Sequence, residues 1–199
     1  MPQIFTNPKD MKQDFAFLAK PSRNLQEYQA ATKNGQAVND HVLIIPTGCR
    51  FLRYDENPQG FKLALVLDSD QAVLYFCQVT YVEDEALNLE GVTQALVWRN
   101  RMRPAYKAAT QDFVSHVFNH YLIENYTVII SDVYHSFGGM FMWQEQLGNA
   151  IGRTDRTVYL YDQITCQLSQ ITSDNFEQFL DELWSEDESK LHTRAVIRK

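Results

Sequence analysis

The sequence predicts an α+β protein, an α/β sandwich in which helices cover both faces of a mixed, mostly antiparallel central sheet. Three observations predict it. Apolar runs at residues 61–67 and 72–82 flank Asp68-Ser69-Asp70-Gln71, the signature of an antiparallel hairpin. Over residues 93–161 the apolar spacing then switches between strand and helix periods, giving β-α-β-α-β. With 199 residues, 45% hydrophobic and 22% charged, the chain can bury one sizeable core, so residues 1–199 are expected to form a single domain.

Each element has its own warrant. Asn7-Pro8-Lys9-Asp10 reads as an N-cap with proline at the first helical position, followed by Met11, Phe15 and Leu18 at helical spacing. That helix is expected to end near Lys20-Pro21. Leu25, Tyr28 and Ala31 predict a second helix stopped at Asn34-Gly35, which makes residues 1–35 a helical segment. HVLII, residues 41–45, reads as a strand closed by Pro46 and Gly48, with residues 51–54 continuing it after a bend. The hairpin follows, and residues 93–98 add a third strand. After Pro104, the residues Phe113, Val114, Val117, Phe118, Tyr121 and Leu122 form the apolar stripe of one long helix. Residues 127–130 are β-branched and apolar, as in a strand covered on both faces. Met140, Trp143, Leu147 and Ile151 mark the next helix, and residues 157–161 return to strand. Beyond these, Asp174 and Glu177 resemble a capping box ahead of Phe176, Phe179, Leu180, Leu183 and Trp184. With a last strand at residues 195–197, residues 163–199 read as a strand-helix-strand extension.

Charge and cysteine usage narrow the function classes. A net charge of −7, with acid at Glu83-Asp84-Glu85 and across residues 174–188, disfavours a nonspecific grip on nucleic acid. Cys49, Cys77 and Cys166 lie in apolar stretches without a CxxC pair, which predicts free buried thiols in a reducing compartment. No window approaches 18 continuous apolar residues, and MPQIFTNPKDMKQDF lacks a basic region followed by an apolar core. A cytoplasmic protein with no membrane partner is expected.

Two stretches carry chemistry. SDVYHSFGG, residues 131–139, leaves the carboxyl end of a strand, where ligands bind in open sheets because neighbouring loops diverge. Ser136 is placed to cap the following helix, and Gly138 and Gly139 remove side chains that would keep a ligand away; a plain strand-to-helix connector needs the same glycines. His135 with Asp132 has the composition of a base and its orienting acid, and Tyr134 and Tyr106 are candidate proton donors. In ALVWRNRMRPAYKAA, residues 95–109, Arg99, Arg101, Arg103 and Lys107 form the densest positive cluster, just ahead of a helix. Such a cluster suits a di- or triphosphate, and an exposed basic turn balancing nearby acids is the alternative. Asp112, His116 and His120 share a helix face but spread over two turns, too far apart to converge easily on one ion, so no metal is expected. No P-loop, GxGxxG, GxSxG or HExxH occurs.

Taken together, the antiparallel strands, the cationic turn opening a helix, and YTVIISDVYHSFGGMFMWQEQL resemble the GNAT family of N-acetyltransferases over residues 41–162. The resemblance implies that acetyl-CoA lies where the strand before the basic turn splays from the next parallel strand. Leu96, Val97 and Trp98 would then offer backbone to the pantetheine. Arg101, Arg103, Ala105, Lys107 and Ala108 would hold the pyrophosphate, and Ser131, Tyr134 and His135 would serve catalysis on the acceptor side. The implied reaction is acetyl transfer to a small-molecule or protein amine. RNRMRPAYKAA departs from the family pattern in having no glycine, and Pro104 lacks an N–H. The helix at residues 140–151 has no tyrosine, and two predicted helices precede the first strand. The alternative is a non-catalytic phage or bacterial protein on the same scaffold, whose acidic surface engages a basic host factor.

Overall fold

The computed structural model describes residues 3–4, 16–38, 42–83, 87, 91–130, 134–135, 137–184 and 192–199. In chain order its elements are β1 (Gln3–Ile4), a 3-10 turn (Ala16–Ala19), α1 (Pro21–Asn34), β2 (Gln36–Ala37), β3 (Cys49–Asn57), β4 (Gly60–Leu67), β5 (Ala72–Tyr81) and β6 (Val92–Arg99). Next come α2 (Pro104–Ala109), α3 (Phe113–Val117), a π-helical turn (Phe118–Leu122), α4 (Ile123–Asn125), β7 (Thr127–Ile129) and β8 (Tyr134–His135). The chain ends with α5 (Phe137–Ile151), β9 (Thr157–Asp162), β10 (Gln167–Ile171), α6 (Phe176–Leu183) and β11 (Thr193–Arg198). The fold is α+β with mostly antiparallel pairing, as expected; among the registered pairs only β6–β7 and the two-residue β1–β8 run parallel. Residue contacts divide the chain into two units, Met1–Lys12, Val82–Gln94 and Leu122–Lys199 in one, Gln13–Tyr81 and Ala95–Tyr121 in the other. Both are discontinuous in sequence, so no linker or composition shift marks them.

In the unit of residues 13–81 and 95–121 the strand order is β6–β5–β4–β3–β2. Its hairpin turn sits at Asp68 to Gln71, where the sequence places it. Asp68 accepts from Arg50 Nε and Nη2 (2.7 and 2.6 Å) and from the Tyr28 hydroxyl (2.9 Å), tying the turn to β3 and α1. Helix α1 ends at Gly35, whose N–H bonds the Ala31 carbonyl at 2.8 Å. Asn24 staples α1 to β5: its amide donates to the carbonyls of Leu18 and Val73, and its Oδ1 accepts the Val73 N–H. Around it lie buried Leu18, Ala31, Leu52, Tyr54, Ala64, Val66, Val73 and Phe76, with Trp98 packed against them. A second knot is aromatic, Phe51 and Tyr75 meeting Phe113 edge-on at 5.1 and 5.4 Å. Tyr54 donates to Glu27 at 2.6 Å, and burial first, then that carboxylate, raises its phenol above the ordinary range.

Two expectations fail here. Residues 42–46 form no strand, because the edge of β3 is taken by β2 and by the Val38 N–H bonding the Phe51 carbonyl. Leu43 is buried, whereas Val42 and Ile44 are 55% and 70% exposed. The single long helix after Pro104 is instead broken into α2, α3, a π turn and α4. The Thr110 hydroxyl donates to the Tyr106 carbonyl at the end of α2, a local bond that competes with helix continuation. The predicted apolar stripe survives the break: Phe113, Val114, Val117, Phe118 and Leu122 are all buried.

In the other unit the order is β10–β9–β11–β7–β6. β6 and β7 pair parallel at Val92↔Thr127 and Thr93↔Val128, and β11 lies antiparallel to both β7 and β9. Buried Leu87, Val92, Ile129, Tyr161 and Val196 form its core. The capping box is absent: Asn175 precedes α6, but its side chain accepts the Thr172 N–H at 2.7 Å and donates to the Gln170 carbonyl, so it caps the preceding turn. The thiols are free, but only Cys77 is buried, Cys49 being partly buried and Cys166 exposed. Burial pushes the Cys77 thiol up to about 12.

The side chain of Arg156 is fully buried and bonds Glu124, which also holds Lys199. Lys199's hydrogen bond first, then the charge of Arg156, lower the Glu124 carboxyl below its ordinary 4.5 against the opposing effect of burial, and the Arg153 bond first lowers Asp155 from 3.8 to about 2. A lowered folded-state value means stability that is present above the unfolded value and lost as pH falls through the folded one. Unfolding free energy is therefore expected to hold near neutrality and fall below about pH 4.5. Glu124→Gln is expected to lose about 2 kcal/mol at pH 7, and less at pH 3, in urea titrations.

Candidate functional site

Strand β6 ends at Arg99, and the chain then turns on a fixed pivot. Asn100 is 3% exposed; its N–H donates to the Leu74 carbonyl (2.8 Å), its amide to the Val73 carbonyl (3.2 Å), and its Oδ1 accepts the Met102 N–H (3.1 Å). Arg99 and Arg101 thus flank a residue locked to β5. Pro104 starts α2, Lys107 lies within it, and the Thr110 hydroxyl bond closes it ahead of Gln111. Arg99, Arg101, Lys107, Thr110 and Gln111 together line a cleft of about 310 Å³.

The electrostatics of this cleft are one-sided. Among the described residues, none of its three cations has a carboxylate within 4.0 Å. Burial first, then the Arg101 charge, lower the Arg99 guanidinium below its ordinary value. It still carries its charge at neutral pH. Positive charge held partly out of water without a counter-charge is relieved by an incoming anion.

The residues predicted to hold a cofactor divide. Arg101 and Lys107 line the cleft together with Arg99 of the same predicted cationic cluster, and Thr110 and Gln111, which the sequence does not mark, join them. Arg103 does not: it pairs with Asp70 at 2.9 Å, and its guanidinium lies 5.2 Å from the Tyr106 ring. The Tyr106 hydroxyl donates to the same carboxylate, and this bond above all lowers Asp70. Burial first, then Asp70, raises the Tyr106 phenol, so Tyr106 is a turn anchor. Ala105 and Ala108 are exposed on α2; Leu96, Val97 and Trp98 are half-buried on β6. The helix start supplies little, because α2 has six residues, Pro104 has no N–H and Arg103 makes no side-chain cap. Side chains, rather than free backbone N–H groups, furnish the donors.

Of the predicted catalytic residues, Ser131 lies outside the described residues, as do Asp132 and Ser136. Tyr134 and His135 form β8, paired parallel with Gln3 and Ile4, where the sequence suggested a loop. Gly138 and Gly139 fall inside the first turn of α5, not in a loop ahead of it. The His116 and His120 rings meet edge to face at 5.7 Å, and among the described residues no group of three or more His, Cys, Asp or Glu is arranged to hold a metal ion. Among those residues, too, no helix is long and apolar enough to cross a membrane. Comparisons with family models, with curated proteins and with solved structures find no match.

Proposed function

We propose that the chain is a cytoplasmic GNAT-like acyltransferase that holds the phosphates of acetyl-CoA in the cleft of Arg99, Arg101 and Lys107 and passes the acetyl group to an amine. One observation carries the reading: in a chain of net charge −7, three cations without a carboxylate partner among the described residues collect in a single cleft at the end of β6. Guanidinium and ammonium groups donate charge-assisted hydrogen bonds to phosphate oxygens. The parallel β6–β7 pair supports the same reading, since the resemblance calls for a parallel strand after the basic turn.

The chemistry asks for positioning above all. A neutral amine attacks the thioester carbonyl carbon, the new C–N bond forms as the C–S bond breaks, and the amine proton ends on the departing CoA thiolate. A backbone N–H of Leu96, Val97 or Trp98 would polarise the carbonyl.

Calorimetric titration with CoA tests this. Wild type is expected to bind, and Arg101→Ala with Lys107→Ala to weaken binding by about a hundredfold, two charge-assisted bonds being lost. Arg103→Ala should change it only a few-fold, because Asp70 already holds that guanidinium. Absence of heat at millimolar CoA overturns the proposal. The second reading, a non-catalytic protein that engages a basic partner, is favoured by the missing backbone donors at Pro104; CoA binding without turnover, together with reproducible capture of a basic partner, would select it.

A further inference from the structure

The β9–β10 hairpin, the start of β11 and α6 line a second cleft, opposite in character to the cationic one. The register aligns Gln167, Asp162 and Thr193 in one row across three strands, and Ser169 with Leu160 in the next row on the same face. These five side chains line a cleft of about 270 Å³ with Thr165, His192 and Glu182 of α6. Asp162 is fixed there: its Oδ1 accepts the N–H groups of Ile164 (2.9 Å) and Thr165 (3.1 Å), and His192 Nε2 lies 3.5 Å away. The lining residues carry two carboxylates, three hydroxyls, an amide and the His192 imidazole, and no lysine or arginine is among the described residues lining the cleft.

We propose that this cleft binds an aliphatic ammonium group. An ammonium carries three N–H donors and no acceptor, which matches a wall rich in carboxylate and hydroxyl oxygen. A divalent metal fits less well, since no metal-holding group of His, Cys, Asp or Glu is found among the described residues. At about 270 Å³ the cleft falls just below the usual range of ligand sites, so the occupant is a short diamine or a single lysine side chain rather than a nucleotide. The site lies wholly within one unit and stands apart from the CoA reading.

Titration of ¹⁵N-labelled protein with 1,4-diaminobutane and, separately, with Nα-acetyl-lysine amide tests it. The Ile164 and Thr165 amides, which report on Asp162, are expected to shift saturably with at least one probe, and the tighter probe identifies the source as free diamine or lysyl side chain. Asp162→Asn is expected to weaken binding about tenfold, one charge-assisted contact being lost. Glu177→Gln, an exposed acid on the same helix that does not line the cleft, should leave it unchanged. If Asp162→Asn fails to fold, Glu182→Gln carries the same expectation. No shift at about 10 mM of the protonated amine at neutral pH, saturation by Mg²⁺ alone, or equal loss in Glu177→Gln would each overturn the proposal.

Discussion

Gly60→Ala is expected to cost about 3–5 kcal/mol and to lower the melting temperature by roughly 6 °C or more. Gly60 opens β4 opposite Asn57 on one side and Thr80 on the other, with φ at +149°, a conformation that side chains rarely adopt. A Cβ there would lie deep inside contact distance of the Val79 carbonyl oxygen and 2.9 Å from the Thr80 Cα. Those atoms are ladder backbone and cannot swing aside as a flexible side chain would. Relief requires the β4–β5 ladder to part at its end. Circular dichroism melts of both proteins measure the loss; a shift under about 2 °C would show that the backbone there yields easily.

Asn24→Ala follows, with an expected loss of about 3 kcal/mol in urea denaturation. Asn24 is 6% exposed and serves two elements at once. Truncation strands the Val73 N–H and the Leu18 carbonyl away from water, while the Val73 carbonyl keeps its bond from Asn100. Each orphaned buried group costs about 1–3 kcal/mol. A loss below about 1 kcal/mol would mean that water reaches the gap and that the staple contributes little.

How far the letters foretell the molecule varies with where each contact comes from. The β4–β5 hairpin and α1 are legible because their signals are local: turn residues between apolar runs, and Asn34-Gly35 behind a helical stripe. β10 is legible only as the unplaced first strand of the strand-helix-strand extension at residues 163–199, since QLSQI lies at the end of its strand order with four of five residues exposed and therefore shows little apolar alternation. HVLII misleads in the opposite direction, apolar in composition yet assigned to no strand over its described residues. The stripe from Phe113 to Leu122 foretells burial correctly but not the breaks in the helix, which arise from hydroxyl bonding at Thr110 and from the π turn.

The candidate site divides along the same line. Charge density alone marks Arg101 and Lys107. The removal of Arg103 depends on Asp70, 33 residues earlier, and no spacing rule reaches that far. Thr110 and Gln111 were hidden by reading one continuous helix through them. Their polar sequence offers only the weak signal that TQD interrupts an apolar pattern.

The most direct test of the cationic cleft as a CoA site is a residue-resolved NMR titration with CoA at low and moderate salt. Saturable shifts centred on Arg99, Arg101, Lys107, Thr110 and Gln111, weakening as salt rises and absent from the Arg101→Ala, Lys107→Ala protein, are the predicted result. Shifts that spare these residues, or that persist unchanged in the double variant, would contradict it.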